Sequence, residues 1–186
     1  MIDILILLGR SATGKDTVFN ELVKSYGYKR MTTYTTRPMR VGERQDIDYH
    51  FISTEDFLRK YIDGFFLEVR YYITEEGIWF YGSSVEDYQQ AKDDTVVILT
   101  PDGLKKVRDK GIACTAILID VEDDLIKKRQ MNRGDDPIEA ERRFDHDKRD
   151  FENAKSISDF VVFNNKDIKE VAEEINTLHM NWRYQE

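Results

Sequence analysis

Ile2-Asp3-Ile4-Leu5-Ile6-Leu7-Leu8 runs without a break into Gly9-Arg10-Ser11-Ala12-Thr13-Gly14-Lys15-Asp16-Thr17. The apolar run reads as a buried strand. Beyond the loop, Val18, Phe19, Leu22 and Val23 recur at helical spacing. Between these elements Gly9 and Gly14 permit backbone conformations that turn successive N–H groups inward. The helix that follows aims its positive dipole end at the same point. Lys15 adds a compact, mobile charge suited to the β- and γ-phosphates of a nucleotide. The spacing is that of a P-loop with one exception: Asp16 stands where the pattern asks for Ser or Thr, and Thr17 comes next.

Composition narrows the classes. A chain of 186 residues suits one domain with a sizeable core. No apolar run reaches the length of a membrane span, and no basic region precedes the first apolar stretch, so the expected location is cytoplasmic, with no membrane partner. The single Cys114 lies in an apolar segment and reads as a small buried side chain. A net charge of -8 argues against nucleic acid as a partner. Arginines nevertheless gather in two places, Arg37, Arg40 and Arg44, then Arg129, Arg133, Arg142 and Arg143. An acidic chain that concentrates its arginines in this way is suited to small anions. The expected partners are small-molecule nucleotides, with the chain a monomer or homodimer.

Elsewhere the pattern alternates. A helix is expected over 15–26 and a short strand over 28–31. A Thr-rich loop follows with Pro38 in it, then a strand at 49–51 and a helix over 54–62 behind Ser53. Residues 65–82 alternate, with a hairpin turn at Glu75-Glu76-Gly77, so 46–82 reads as a small mixed lobe. Helices are expected over 84–92, from Pro101 to near Gly111, over 122–131, over 138–154 and over 167–182. Strands fall at 95–99, 112–119 and 160–163. Such alternation gives an α/β fold whose parallel sheet is covered on both faces and binds ligands beyond the carboxyl ends of its strands.

A P-loop does not name the acceptor. Thr35-Thr36-Arg37-Pro38-Met39-Arg40-Val41-Gly42-Glu43, Asp48-Tyr49-His50-Phe51, Gly64-Phe65-Phe66-Leu67-Glu68 and Tyr81-Gly82-Ser83-Ser84 occur in that order. Together they resemble the guanylate kinase family, as do Arg133-Gly134 and Val162-Phe163-Asn164-Asn165. The resemblance implies a P-loop three-layer sandwich with a core (1–32, 84–125, 156–186), a nucleoside-monophosphate lobe (33–83) and a helical lid (126–155). It implies transfer of the γ-phosphoryl of ATP to GMP or dGMP. Gly9, Arg10, Ser11, Ala12, Thr13, Gly14, Lys15, Asp16, Thr17 and Asn164 would bind ATP. Mg²⁺ would be held through phosphates and water, with Asp16 or Thr17. Arg37, Arg40, Tyr49 and Tyr81 would hold the acceptor phosphate, which suits guanidinium forks and phenol donors. Glu68 would accept from the N1–H and N2–H₂ of guanine, helped by Thr33, Ser83 and Asp102. Lys15, Arg37, Arg133 and Arg143 would act on the transferring group, with Arg129 and Arg142 as neighbours able to share the work.

The chain departs from the family at three places. Asp16 replaces a hydroxyl residue, Thr100 takes the place of the first of two acids at a strand end, and the stretch between Glu68 and Tyr81 is longer than usual. Two other readings remain open at this level: a related kinase with a different phosphorylated acceptor, and a non-catalytic binding module.

Overall fold

The structure is a computed structural model that describes residues 3–74, 76–132 and 137–183. Strand β1 (Ile4–Leu8) leads through the glycine loop into helix α1 (Lys15–Tyr26) and strand β2 (Lys29–Arg30). Next come β3 (Tyr34–Thr35), β4 (His50–Phe51), α2 (Thr54–Ile62), β5 (Phe66–Thr74) and β6 (Gly77–Ser84). Helix α3 (Val85–Gln90), β7 (Thr95–Ile98), α4 (Pro101–Asp109) and β8 (Cys114–Asp120) return the chain to the first sheet. It closes with α5 (Asp123–Asn132), α6 (Pro137–Asp150), α7 (Ala154–Ile157), β9 (Phe160–Phe163) and α8 (Ile168–Arg183).

The first sheet has the order β2-β7-β1-β8-β9, and its pairings are parallel. β1 sits in the middle, and all five of its residues are buried. Its alternation serves two layers. Ile4, Ile6 and Leu8 pack with Val97, Leu99, Leu104, Val107 and Ala154 on one face. Leu5 and Leu7 pack with Val18, Phe19 and Leu22 of α1 and Val171, Ala172 and Ile175 of α8 on the other. Burial on both faces explains why this strand is apolar throughout rather than at every second residue. Among the described residues no helix is long and apolar enough to cross a membrane.

A second sheet, in the order β4-β3-β6-β5, carries the small lobe. Helix α2 covers it through Phe57, which is fully buried and stacks on Phe66 and Phe80 at centroid distances of 4.4 and 5.4 Å. Ser53 caps α2 by accepting from the Asp56 amide. The β5–β6 hairpin is long, and its register sets Glu68 against Ser83, Arg70 against Tyr81 and Tyr72 against Trp79.

One expected element divides. The helix anticipated over 138–154 begins at Pro137 and ends at Asp150, and α7 follows as a separate turn. The break lets Phe151, Ala154 and Ile157 turn onto the core, which a straight, highly charged helix could not do. The expected break at Arg133-Gly134-Asp135-Asp136 lies outside the described residues.

Gly14 has φ +86°, and a Cβ built there would collide with Asn164 Nδ2. Gly14→Ala is expected to lower the melting temperature by about 3–8 °C, from left-handed strain alone. Thermal denaturation with a circular dichroism readout checks this.

Candidate active site

The glycine loop leaves β1 at the carboxyl end of the sheet. Its carbonyls are held from behind. Arg129 Nη1 donates to the Ala12 and Thr13 carbonyls at 3.3 and 3.1 Å, and its Nη2 to the Asn164 carbonyl at 3.0 Å. Asn164 Nδ2 donates to the Thr13 carbonyl at 2.7 Å. Thr13 Oγ1 donates to the Arg10 carbonyl at 2.9 Å. The Arg10 side chain anchors the flank, donating to Asp123 Oδ1 at 2.7 Å and to the Val121 carbonyl at 3.1 Å. Gly9 is wedged close to β8, where an added Cβ would stand 2.9 Å from the Ile119 carbonyl. Ala12 adopts φ 62°, a left-handed conformation imposed on a residue with a side chain.

Lys15 Nζ folds back to 3.4 Å from the Arg10 carbonyl and 3.9 Å from Asp16 Oδ2. Asp16 and Thr17 are exposed in the first turn of α1. Asp16 faces the small lobe, where its charge acts on Tyr49: burial, then Asp16, push that phenol up to about 12.

On the small lobe Arg37 is buried, with a relative exposure of 4%. Its Nη2 donates to Glu43 Oε1 and its Nη1 to the Pro38 carbonyl, both at 2.7 Å. Glu43 Oε2 also accepts the Arg40 amide at 2.7 Å, while the Arg40 side chain is exposed. Burial pushes the Glu43 carboxyl up, but the bonds from Arg37 and Arg40 outweigh it and hold the group below the usual carboxylate range. The Arg37 guanidinium lies over the rings of Tyr49 and Phe51. Tyr49 meets Tyr81 edge-on at 6.1 Å. The structure thus gathers Arg37, Tyr49 and Tyr81, with Arg40 tethered beside them.

Glu68 is buried on the same hairpin. Ser83 Oγ donates to its Oε1 at 2.7 Å and lies 3.0 Å from the Tyr88 hydroxyl. Burial pushes the Glu68 carboxyl above the usual range, against the pull of Arg70, Ser83 and Lys106. Its Oε2 faces the start of α4, 3.4 Å from where a Gly103 Cβ would stand. Thr100 caps that helix by accepting the Gly103 amide at 3.2 Å, and Asp102 is exposed in its first turn. Thr33 is half-buried, and its carbonyl accepts the His50 amide at 2.9 Å.

Helix α6 comes down over the loop. Phe144 packs with Val121, Ile126 and Ala12, and Arg143 is half-buried beside it. Arg133 lies outside the described residues. Two residues missing from the expected set stand in the cleft. Asp147, 8% exposed, accepts the Ser11 amide at 2.5 Å. Arg70 lies over the rings of Tyr72 and Tyr81. Arg70 was legible in principle, because it follows Glu68 at the two-residue period of a strand. Asp147 is one of many charges on a polar helix and carries no local signal.

The guanylate kinase family model matches residues 1–180. The guanylate kinase of Helicobacter hepaticus is 33% identical over 144 residues, covering 74% of this chain and 70% of that one. That of Sulfurimonas denitrificans is 30% identical over 183 residues, covering 94% and 85%. The crystal structure of guanylate kinase from Anaplasma phagocytophilum superposes with a TM-score of 0.69 at 23% identity, covering 97% of this chain and 86% of that one.

Asp147 occupies one N–H of the glycine loop expected to hold phosphate. Replacing a carboxylate so near a polyanion by its amide removes a repulsion. Asp147→Asn is expected to tighten ATP binding by about tenfold. Isothermal titration calorimetry measures this, and an unchanged dissociation constant refutes the competition.

Proposed function

The chain belongs to the guanylate kinase family and phosphorylates GMP with ATP, and we propose how its residues divide that work. The first sheet with its helices is the core (1–32, 84–125, 156–186), the second sheet with α2 is the acceptor lobe (33–83), and α5 and α6 form the lid (126–155). Phosphoryl transfer asks for two anions held in line and for neutralisation of the charge that develops. The loop amides of 10–15 and the Lys15 ammonium hold the β- and γ-phosphates of ATP. Asn164 contributes by bracing the loop through Thr13, and Arg10 by fixing its flank.

Arg37, Arg40, Tyr49 and Tyr81 hold the acceptor phosphate, with Glu43 keeping Arg37 in place. Glu68 accepts from the paired N–H groups of guanine. Ser83 orients that carboxylate, and Thr33 and Asp102 add polar contacts at the rim. Arg143 closes over the transferring group from the lid and excludes water, which suppresses hydrolysis of ATP, and Arg133 is assigned to the same chemistry.

Among the described residues no three acidic, His or Cys side chains gather as a metal cage. Mg²⁺ keeps its waters and binds chiefly through substrate phosphates. Asp16 and Thr17, exposed at the start of α1, are the side chains able to reach its hydration shell. The ion would supply charge neutralisation between the phosphates.

The observation that carries this reading is the buried Glu68–Ser83 pair on the same hairpin as Tyr81. An ADP-release assay across GMP, dGMP, AMP, CMP, UMP and dTMP tests it, with Lys15→Met as the blank. GMP and dGMP should stand above the rest, and equal rates with AMP would overturn the base assignment. Glu68→Gln is expected to lower kcat/KM for GMP by about ten- to a hundredfold. Because burial raises the Glu68 carboxyl, GMP affinity should fall as pH drops through that raised value, where the group gains a proton and loses an acceptor. Glu68→Gln should lose that part of the pH profile, leaving the titration of the substrate phosphate.

A further inference from the structure

The β5–β6 register builds a ladder on one face of the hairpin. Glu68 faces Ser83, Arg70 faces Tyr81, and Tyr72 faces Trp79. Arg70 therefore stands between the base end of the acceptor site and the tyrosines at its phosphate end. Its guanidinium carbon lies 5.2 Å from the Tyr81 ring centroid and 5.5 Å from that of Tyr72. Stacking of this kind fixes the plane of a guanidinium while leaving its edge donors free.

Two other arginines of the site, Arg37 and Arg129, are already engaged, whereas the Arg40 side chain is exposed. Arg37 spends two donors on Glu43 and Pro38, and Arg129 spends its own on the carbonyls of Ala12, Thr13 and Asn164. Among the described residues Arg70 has neither a hydrogen bond nor an ion pair, although Glu68 lies near enough for each to act on the other's charge. A half-buried guanidinium with five unspent N–H donors is free to receive an anion or polar ligand. Resting on the acceptor reading above, we propose that Arg70 is a further binding residue for GMP, donating to its phosphate beside the Tyr81 hydroxyl. It makes the site selective for a charged monophosphate over the bare nucleoside. The enlarged hairpin supports this role, because Tyr72 stacks beneath the guanidinium and meets His146 of α6 at 6.2 Å.

The test uses the full chain with Arg70→Gln and Arg70→Lys. Calorimetry with GMP and with guanosine is combined with steady-state kinetics in GMP and ATP. Arg70→Gln should weaken GMP binding and raise its KM by about ten- to a hundredfold. Guanosine affinity and the KM for ATP should stay within about twofold, and Arg70→Lys should recover part of the loss. Equal losses for GMP and guanosine would reduce Arg70 to a structural brace and overturn the proposal. So would a fall in kcat at unchanged KM, which would move the guanidinium onto the transferring group. GMP kinetics unaltered in Arg70→Gln would refute the Arg70 role alone. A wild-type chain that fails to turn over GMP would sink the acceptor reading itself, and Arg70 with it.

Discussion

A loop that presents its N–H groups to an anion must send its carbonyls elsewhere, and this requirement governs the centre of the molecule. Each peptide unit carries a donor and an acceptor on opposite edges, so amides can converge only if the carbonyls behind them find partners. Here Arg129 takes the carbonyls of Ala12 and Thr13, Asn164 takes Thr13 again, and the Thr13 hydroxyl takes Arg10. The braces come from α5 and from the chain just after β9, two elements far from the loop in sequence. The glycine loop is therefore held in shape by the packed sheet as a whole. A strand buried on both faces supplies the rigid base, and neighbours on one side of it supply the clamps.

The same economy of partners organises the small lobe. Arg37 is buried, and a buried guanidinium is stable only with its donors occupied. Glu43 occupies one edge and ties down the Arg40 backbone with its second oxygen. Arg37 is thereby aimed while part of its charge is neutralised. Glu68 is the converse case, a carboxylate whose burial raises its proton affinity while Ser83 and the charge of Arg70 oppose that shift. Paired N–H donors from a ligand would add to that opposition.

Much of the fold could be read from local pattern. The expected bounds of the first two helices match α1 and α2, because glycine loop, serine cap and apolar spacing act within a few residues of each other. Strands β1, β7, β8 and β9 were equally plain as apolar runs, whereas β3 lies in the Thr-rich stretch expected to be loop, because two polar residues carry no strand pattern. What escaped depends on tertiary contact. The division of the last lid helix follows from Phe151 and Ala154 seeking the core, which nothing in a charged helical sequence announces. Asn164 could be anticipated only as part of the donor site, and its work as a brace needs Thr13 across 151 positions. Asp147 reaches Ser11 across 136 positions, and its role is invisible without the descent of α6. Arg70 lay in plain view at strand period from Glu68, but no local rule separates a ligand-facing arginine from a solvated one.

Thr100 shows how a departure at one position can change the duty of a neighbourhood. A hydroxyl at that strand end caps α4 through the Gly103 amide, and α4 begins against Glu68 Oε2. Caps leave the remaining first-turn amides pointing outward, and the helix dipole there favours negative charge. Thr100 thus helps shape the wall beside Glu68. Asp16, at the opposite wall, keeps a carboxylate facing Tyr49 and the small lobe. Between them the cleft alternates charge, from Lys15 and Asp16 through Arg37 and Arg70 to Glu68. A ligand that is anionic at one end and a paired hydrogen-bond donor at the other matches that order, and a reversed ligand would meet like charge at both ends.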